Sequence, residues 1–157
     1  MVELLYDNHV VECIQLMNKS VQDNNYEPYG RNERIWIENL CKHIDEQLKN
    51  NPMYLALGVW DDKTGELRGF MLASAFQNYY TQEWVMDVKD CIVNHDRRNG
   101  FIVKQLFDAM IEHVKNHGGS YWRADSIRAA DKAEEYTKFL QKNYDAIPFS
   151  GVHGKIK

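Results

Sequence analysis

The stretch from residue 84 to residue 119 leaves this chain little freedom in what it can build. Trp84-Val85-Met86-Asp87-Val88-Lys89-Asp90-Cys91-Ile92-Val93 is a strand-like run, and Asn94-His95-Asp96-Arg97-Arg98-Asn99-Gly100 after it is a tight polar turn. An amphipathic helix then begins at about Phe101 and stops at Gly118-Gly119. The first turn of a helix leaves about four backbone N–H groups without partners, and the macrodipole adds roughly half a positive charge there. Strand, glycine-bearing turn and helix start together make a site for phosphate. Arg97 and Arg98 add charge to it. The segment points to a phosphorylated cofactor. The alternative is a solvated basic turn before an ordinary surface helix.

A dinucleotide fold would require G-x-G-x-x-G, and a P-loop G-x-x-x-x-G-K-[ST]; neither string occurs. Arg97-Arg98-Asn99-Gly100-Phe101-Ile102 instead resembles the Arg/Gln-x-x-Gly-x-Gly/Ala signature of the GNAT superfamily of N-acetyltransferases. Arg97 fills the first position and Gly100 the fourth, while Ile102 departs from the small sixth residue and is expected to crowd or shift the phosphates. Ile92 stands where the family closes its fourth strand with valine, and Leu106 fits a leucine of the following helix. The resemblance implies that acetyl-CoA lies against Arg97, Arg98, Asn99, Gly100, Phe101 and Ile102. Its pantetheine arm would run beside the strand ending at Ile92 and Val93. It also extends to acetyltransferase-like proteins of tailed bacteriophages, some of which serve in the virion. That leaves a second reading: a catalytically degenerate member with a binding or virion role.

A chain of 157 residues fits one domain with a proper core. No apolar run approaches the roughly 18–20 residues of a membrane span, and Met1 to Asp7 does not read as a signal peptide. Cys13, Cys41 and Cys91 lie far apart with no C-x-x-C pair, so buried, reduced thiols in the cytoplasm (of the host, for a phage protein) are expected. A net charge of −4 argues against broad nucleic-acid binding and is compatible with a cationic amine. A small-molecule or protein amine is the expected partner, with neither nucleic acid nor membrane; a homodimer is left open.

Val2 to Tyr6 reads as a first strand, and Asp7-Asn8 as the cap of a helix carrying Val10, Ile14, Met17 and Val21 inward. Residues 23–32 read as a loop. A second helix presents Ile37, Leu40, Cys41, Ile44 and Leu48, and Pro52 follows its end. Met53–Trp60 and Leu67–Phe76 read as strands around a hairpin loop at residues 61–66. The strand from Trp84 and the helix with Val103, Leu106, Phe107, Met110 and Val114 inward come next. A strand at 120–125, a helix from an Asp131 cap to about Asn143 with Ala133, Tyr136 and Leu140 inward, and a closing hairpin at 146–149 and 152–156 complete the chain. This order predicts an α/β (α+β) fold with a mixed, mostly antiparallel sheet of six to seven strands flanked by four helices. The same order is that of the acetyltransferase family.

Acyl transfer to an amine needs a proton acceptor for the nucleophile and an acid or oxyanion stabiliser at the thioester. The resemblance implies a carboxylate of the fourth strand as base. Asp87 and Asp90 lie there, three residues apart, and a regular strand turns them to opposite faces. Asp87 is preferred by its distance from Arg97; the alternative is that both are salt-bridged strand carboxylates, with Lys89 as a partner. The family's acid is a tyrosine of the last helix, whose position falls here on Phe139 or Leu140. Tyr136 and Tyr144 flank it and are the candidates, although Tyr136 also suits the core. By the same resemblance Tyr26, Tyr29 and Arg31 border the acceptor, with Tyr79, Tyr80 and His153 as further aromatic and polar neighbours. His113 and His117 have metal-compatible spacing but no H-E-x-x-H pattern and no third ligand, so no metal is expected. Cys91 is expected to be buried and not to act as a nucleophile.

Overall fold

The computed structural model describes residues 1–24, 32–94, 99–125 and 133–148. A three-residue strand β1 (Val2–Leu4) leads into a 3₁₀ turn, Asp7–His9, and helix α1 (Val10–Asn24). Asp7 and Asn8 therefore lie inside the turn rather than capping the helix, and the Tyr6 amide donates to His9 Nδ1 at 3.0 Å. Helix α2 (Glu33–Leu48) starts at Asn32, whose side chain accepts from the Ile35 amide, one of the N–H groups a helix start leaves unpaired.

Strands β2 (Tyr54–Trp60) and β3 (Leu67–Gln77) form a hairpin. Asp61 closes its loop by accepting from the Lys63 and Thr64 amides, and Gly65 supplies a φ of +68° that a side chain would strain. β4 (Trp84–Val93) returns antiparallel beside β3, and helix α3 (Asn99–Asn116) crosses back to β5 (Tyr121–Ala124), which runs parallel to β4. Helix α4 (Ala133–Tyr144) follows. Among the described residues the sheet has five strands in the order β1-β2-β3-β4-β5, fewer than the six to seven expected. Residues 145–148 are irregular, and the rest of the expected closing hairpin lies outside the described residues.

Alternation along the strands sorts the core into two layers. Leu55, Leu57, Val59, Met71, Ala73, Met86 and Val88 face α3 and α4, where Val103, Leu106, Phe107, Met110 and Val114 form the expected stripe. Ala56, Leu67, Phe70 and Leu72 face α1 and α2 on the other side. The apolar stripe of α2 is shifted from expectation. Trp36, Leu40, His43 and Ile44 are buried, whereas Leu48 is 42% exposed and Ile37 and Cys41 are half-buried. Trp36 turns inward because its indole has a hydrogen-bond acceptor there, described below. On α1, Met17 is buried with Val10 and Ile14 partly so; the side chain of Val21, like that of Ala133 on α4, lies outside the described residues. Among the described residues no helix is long and apolar enough to cross a membrane.

Candidate active site

β4 is not a regular strand. Leu72 of β3 pairs with Asp90 and the next residue, Ala73, pairs with Val88, so Lys89 is an extra residue in a β-bulge. The bulge corrects the expectation that Asp87 and Asp90 face opposite ways. Asp90 lies opposite Leu72 and Asp87 opposite Ser74, and Leu72 and Ser74, two apart on a regular strand, share a face. Both carboxylates therefore face the α1/α2 side. Each is buried and each is engaged. The Trp36 indole donates to Asp90 Oδ2 at 3.0 Å, tying α2 to β4. Arg123 of β5 grips Asp87 with two parallel bonds, Nε to Oδ1 at 2.9 Å and Nη2 to Oδ2 at 3.2 Å. Lys89 Nζ bonds the same carboxylate. Burial alone would raise the Asp87 pKa, but the hydrogen bonds and charges of Arg123 and Lys89 outweigh it, and the carboxyl titrates below its ordinary value.

Immediately beyond this cluster β4 loses its neighbour. The parallel pairing runs from Val85↔Tyr121 to Val88↔Ala124 and stops, so from Lys89 to Val93 β4 has no strand partner on that side among the described residues. Helix α4 reaches this part of β4 with a side chain. Tyr136 faces the Cys91 thiol of β4; burial first, then that thiol, push the tyrosine pKa well up, so its hydroxyl keeps its proton. Burial likewise pushes the Cys91 thiol up to about 12, which keeps it from acting as a thiolate. Tyr144 is directed elsewhere: its one hydroxyl proton is shared between the Lys104 carbonyl at 3.1 Å and Asp108 Oδ1 at 2.9 Å, both on α3. Phe139, at the position where the resemblance places the acid, carries its ring to α3's first turn. There a Cβ on Gly100 would lie 3.6 Å from it.

At that first turn Gly100 is exposed and Phe101 is 64% exposed. Ile102 is not where it could crowd a phosphate. It is buried in the α3-side core, against Gly69 of β3, where even a Cβ on the glycine would come within 2.7 Å of the isoleucine Cγ2. The missing Cβ of Gly69 makes the room that Ile102 fills. The residues present thus fit a diphosphate at the helix start: Gly100 and Phe101 are exposed there, and the bulky Ile102, fourth in the helix, points into the core. Of the strand residues, Val93 packs on the α3 side and Ile92 on the α1/α2 side. Arg97, Arg98, the Asn99 side chain, Tyr26, Tyr29, Arg31, Asp131 and His153 lie outside the described residues.

Three participants were not legible in the sequence. Arg123 reads as a solvent-facing strand residue, and only the parallel register of β5 brings it to Asp87. Lys19 of α1 donates to Asn94 Oδ1 at 3.2 Å, which sets an ammonium beside the residue that enters the basic turn. His43 packs under α2 against the Tyr54 ring, its Nδ1 2.7 Å from the Asn39 carbonyl, and its buried Nε2 has no hydrogen-bond partner among the described residues. The pair His113 and His117 is accounted for locally. His113 Nε2 donates to the Pro52 carbonyl at 2.9 Å, and His117 Nδ1 donates to the His113 carbonyl at 2.8 Å. Tyr79 and Tyr80 stand exposed at the tip of the β3–β4 connection, where Asn78 accepts from the Tyr80 and Thr81 amides.

No protein-family model matches the chain, and no curated protein matches it by sequence. Its fold, by contrast, has many counterparts among solved structures, and those below are acetyltransferases. A ribosomal-protein-alanine N-acetyltransferase from Brucella melitensis biovar Abortus 2308 superposes with a TM-score of 0.69 at 20% identity, covering 99% of each chain. A probable acetyltransferase gives 0.74 at 12% identity over 100% of this chain and 98% of the other. An aminoglycoside acetyltransferase from an uncultured soil metagenomic sample, solved in complex with sisomicin, gives 0.69 at 16% identity over 100% and 95%. At these identities the likeness establishes the acetyltransferase fold. None of these structures speaks for a bacteriophage origin.

Proposed function

We propose that this protein transfers an acetyl group from acetyl-CoA to an amine by direct attack in a ternary complex. The observation that carries the reading is the split itself. Among the described residues the β4–β5 pairing stops at Val88, Tyr136 meets Cys91 of β4 just beyond it, and the exposed Gly100 stands in the first turn of the helix that follows β4. The fold shared with acetyltransferases along almost the whole chain supports the same reading.

When bound, acetyl-CoA supplies an acetyl thioester. The backbone amides of α3's first turn, with Arg97 and Arg98, hold its diphosphate, and Ile92 and Val93 offer the strand edge that aligns its arm. The amine nitrogen forms the new C–N bond as the C–S bond breaks. Of the two strand carboxylates expected to act as base, Asp90 is bonded by Trp36, and Asp87 by Arg123 and Lys89. The ammonium proton therefore leaves to solvent water. The acid role is assigned to Tyr136, which faces Cys91 of β4 and would give its proton to the departing thiolate, rather than to Tyr144, whose hydroxyl is held on α3. An amine acceptor fits the proteins of similar fold, one a ribosomal-protein-alanine N-acetyltransferase and one an aminoglycoside acetyltransferase bound to sisomicin. In this protein Tyr26, Tyr29 and Arg31 are assigned to the acceptor side, and a cytoplasmic location suits the coenzyme.

An Ile102 that crowded the phosphates and the lack of a tyrosine at 139 or 140 would favour the degenerate, non-catalytic reading. The core position of Ile102 and the Tyr136 hydroxyl beside β4 support the catalytic one instead. Isothermal titration with acetyl-CoA tests the proposal: saturable heat is expected, and none at millimolar ligand would overturn it.

A further inference from the structure

We propose that Arg123 is a positioning residue for acyl transfer: with Asp87, Lys89 and Phe76 it forms a clamp that closes the inner end of the β4–β5 split and sets how far it opens. The inference rests on the reading of that split as the acetyl-CoA site. Among the described residues β5 pairs with β4 from Val85↔Tyr121 to Val88↔Ala124, and parallel pairing is the weaker kind per residue. So short a parallel ladder gains from a side-chain tie where β4 bulges.

The clamp sits at that point. Asp87↔Arg123 is the pair before the last one, directly ahead of the bulge at Lys89. A two-bond guanidinium–carboxylate contact fixes both distance and plane, which a single lysine contact does not. The same guanidinium lies 4.5 Å from the centroid of the Phe76 ring, so Arg123 reaches from β5 across β4 to β3. Lys89, the extra residue of the bulge, turns its ammonium back onto Asp87. The bulge and the end of the parallel ladder are thereby locked to one buried carboxylate. If β5 swung outward, that carboxylate would lose its bidentate partner inside the protein, which makes the swing unfavourable. Asp87 therefore acts through Arg123 on the geometry of the split and is not the base.

Two readouts decide this. In the free protein, hydrogen exchange of R123Q should rise at the amides of 121–124 and 85–88 while β2 and β3 stay protected; R123K should recover part of the protection. In titrations with acetyl-CoA, R123Q and D87N should each weaken binding by about 2- to 30-fold, the range for residues that act on a site without touching its ligand. The double variant should be no weaker than the worse single one, because both break one unit. The pH profile of kcat should keep its acid limb in D87N. Unchanged exchange at 121–124 in R123Q overturns the clamp, whether or not wild type binds acetyl-CoA. So does a D87N variant with wild-type acetyl-CoA affinity, a much reduced kcat and no acid limb, which would make Asp87 the base. If wild type shows no heat with acetyl-CoA, the functional reading fails, and the exchange measurement still decides the clamp.

Discussion

An alanine at position 100 would meet only the edge of the Phe139 ring, at 3.6 Å, so nothing in the described packing requires glycine there. A ligand pressed against the first-turn amides would require it. G100A is therefore expected to gain up to about 0.5–1 kcal/mol in stability, since glycine costs a helix that much, and to bind acetyl-CoA more weakly. Urea denaturation and calorimetry read the two effects separately, and unchanged affinity would remove Gly100 from the site. Ile102, two residues on, should show the reverse. I102A empties a filled core position and should cost about 2–5 kcal/mol, with acetyl-CoA affinity per folded molecule unchanged. At the far end of the split, Y136F should lower kcat by about 10²–10⁴-fold, the usual worth of a general acid. Y144F, which alters a hydroxyl held by Lys104 and Asp108, should leave the acetyl-CoA complex and turnover intact. Equal losses in the two variants would sink the assignment. The six residues from Arg97 to Ile102 raise the expectation of a phosphate-binding turn. What they could not tell is which way Ile102 points, because that depends on Gly69, a strand residue distant in sequence.

At the scale of elements, hydrophobic period located the strands and helices well. The α3 stripe from Val103 to Val114 was legible because a buried helix face must repeat every three to four residues. Periodicity misread two places for a common reason: a polar group paired or packed inside. Trp36 and His43 belong to the buried face of α2, the first because Asp90 accepts its indole proton. The bulge in β4 was invisible, since an extra residue leaves no mark in composition and yet inverts the facing of everything after it. Deleting Lys89 would restore a regular ladder, with Val88 and Asp90 then consecutive opposite Ala73 and Leu72. That variant should keep its helical circular dichroism and unfold cooperatively, and should lose the thermal stabilisation that acetyl-CoA gives wild type. Retention of that stabilisation would mean that the bulge does not shape the split.

For the molecule as a whole, the order of elements identified the three-layer fold, whereas the strand count and the site's electrostatics needed coordinates. Register is what gathers Asp87, Arg123 and Lys89, and depth is what pushes the His43 pKa down. The same burial makes stability depend on pH in a defined sense. His43 and His113 are both pushed below the ordinary imidazole value, by desolvation first, with backbone hydrogen bonds opposing it and nearby cations or imidazole adding to it. Lys42 on α2, Lys89 on β4 and the Tyr54 ring on β2 are the groups that surround His43. A group whose folded pKa is depressed takes its proton more readily when unfolded. The stability it contributes is therefore complete above the unfolded value of about 6.5 and declines as pH falls from there toward the folded value. Asp87, also depressed, adds a second loss only below the unfolded carboxylate value of about 3.9. The urea midpoint should accordingly fall between pH 7.5 and pH 5. H43L should flatten much of that fall and leave His113 to account for the remainder. At pH 7.5 the same variant should be no less stable than wild type, because it removes a buried Nε2 without a partner among the described residues, a defect that costs about 1–3 kcal/mol. A wild-type slope in H43L would show that His43 exchanges its proton freely in the folded state and that the α2–β2 contact is wetter than its packing indicates.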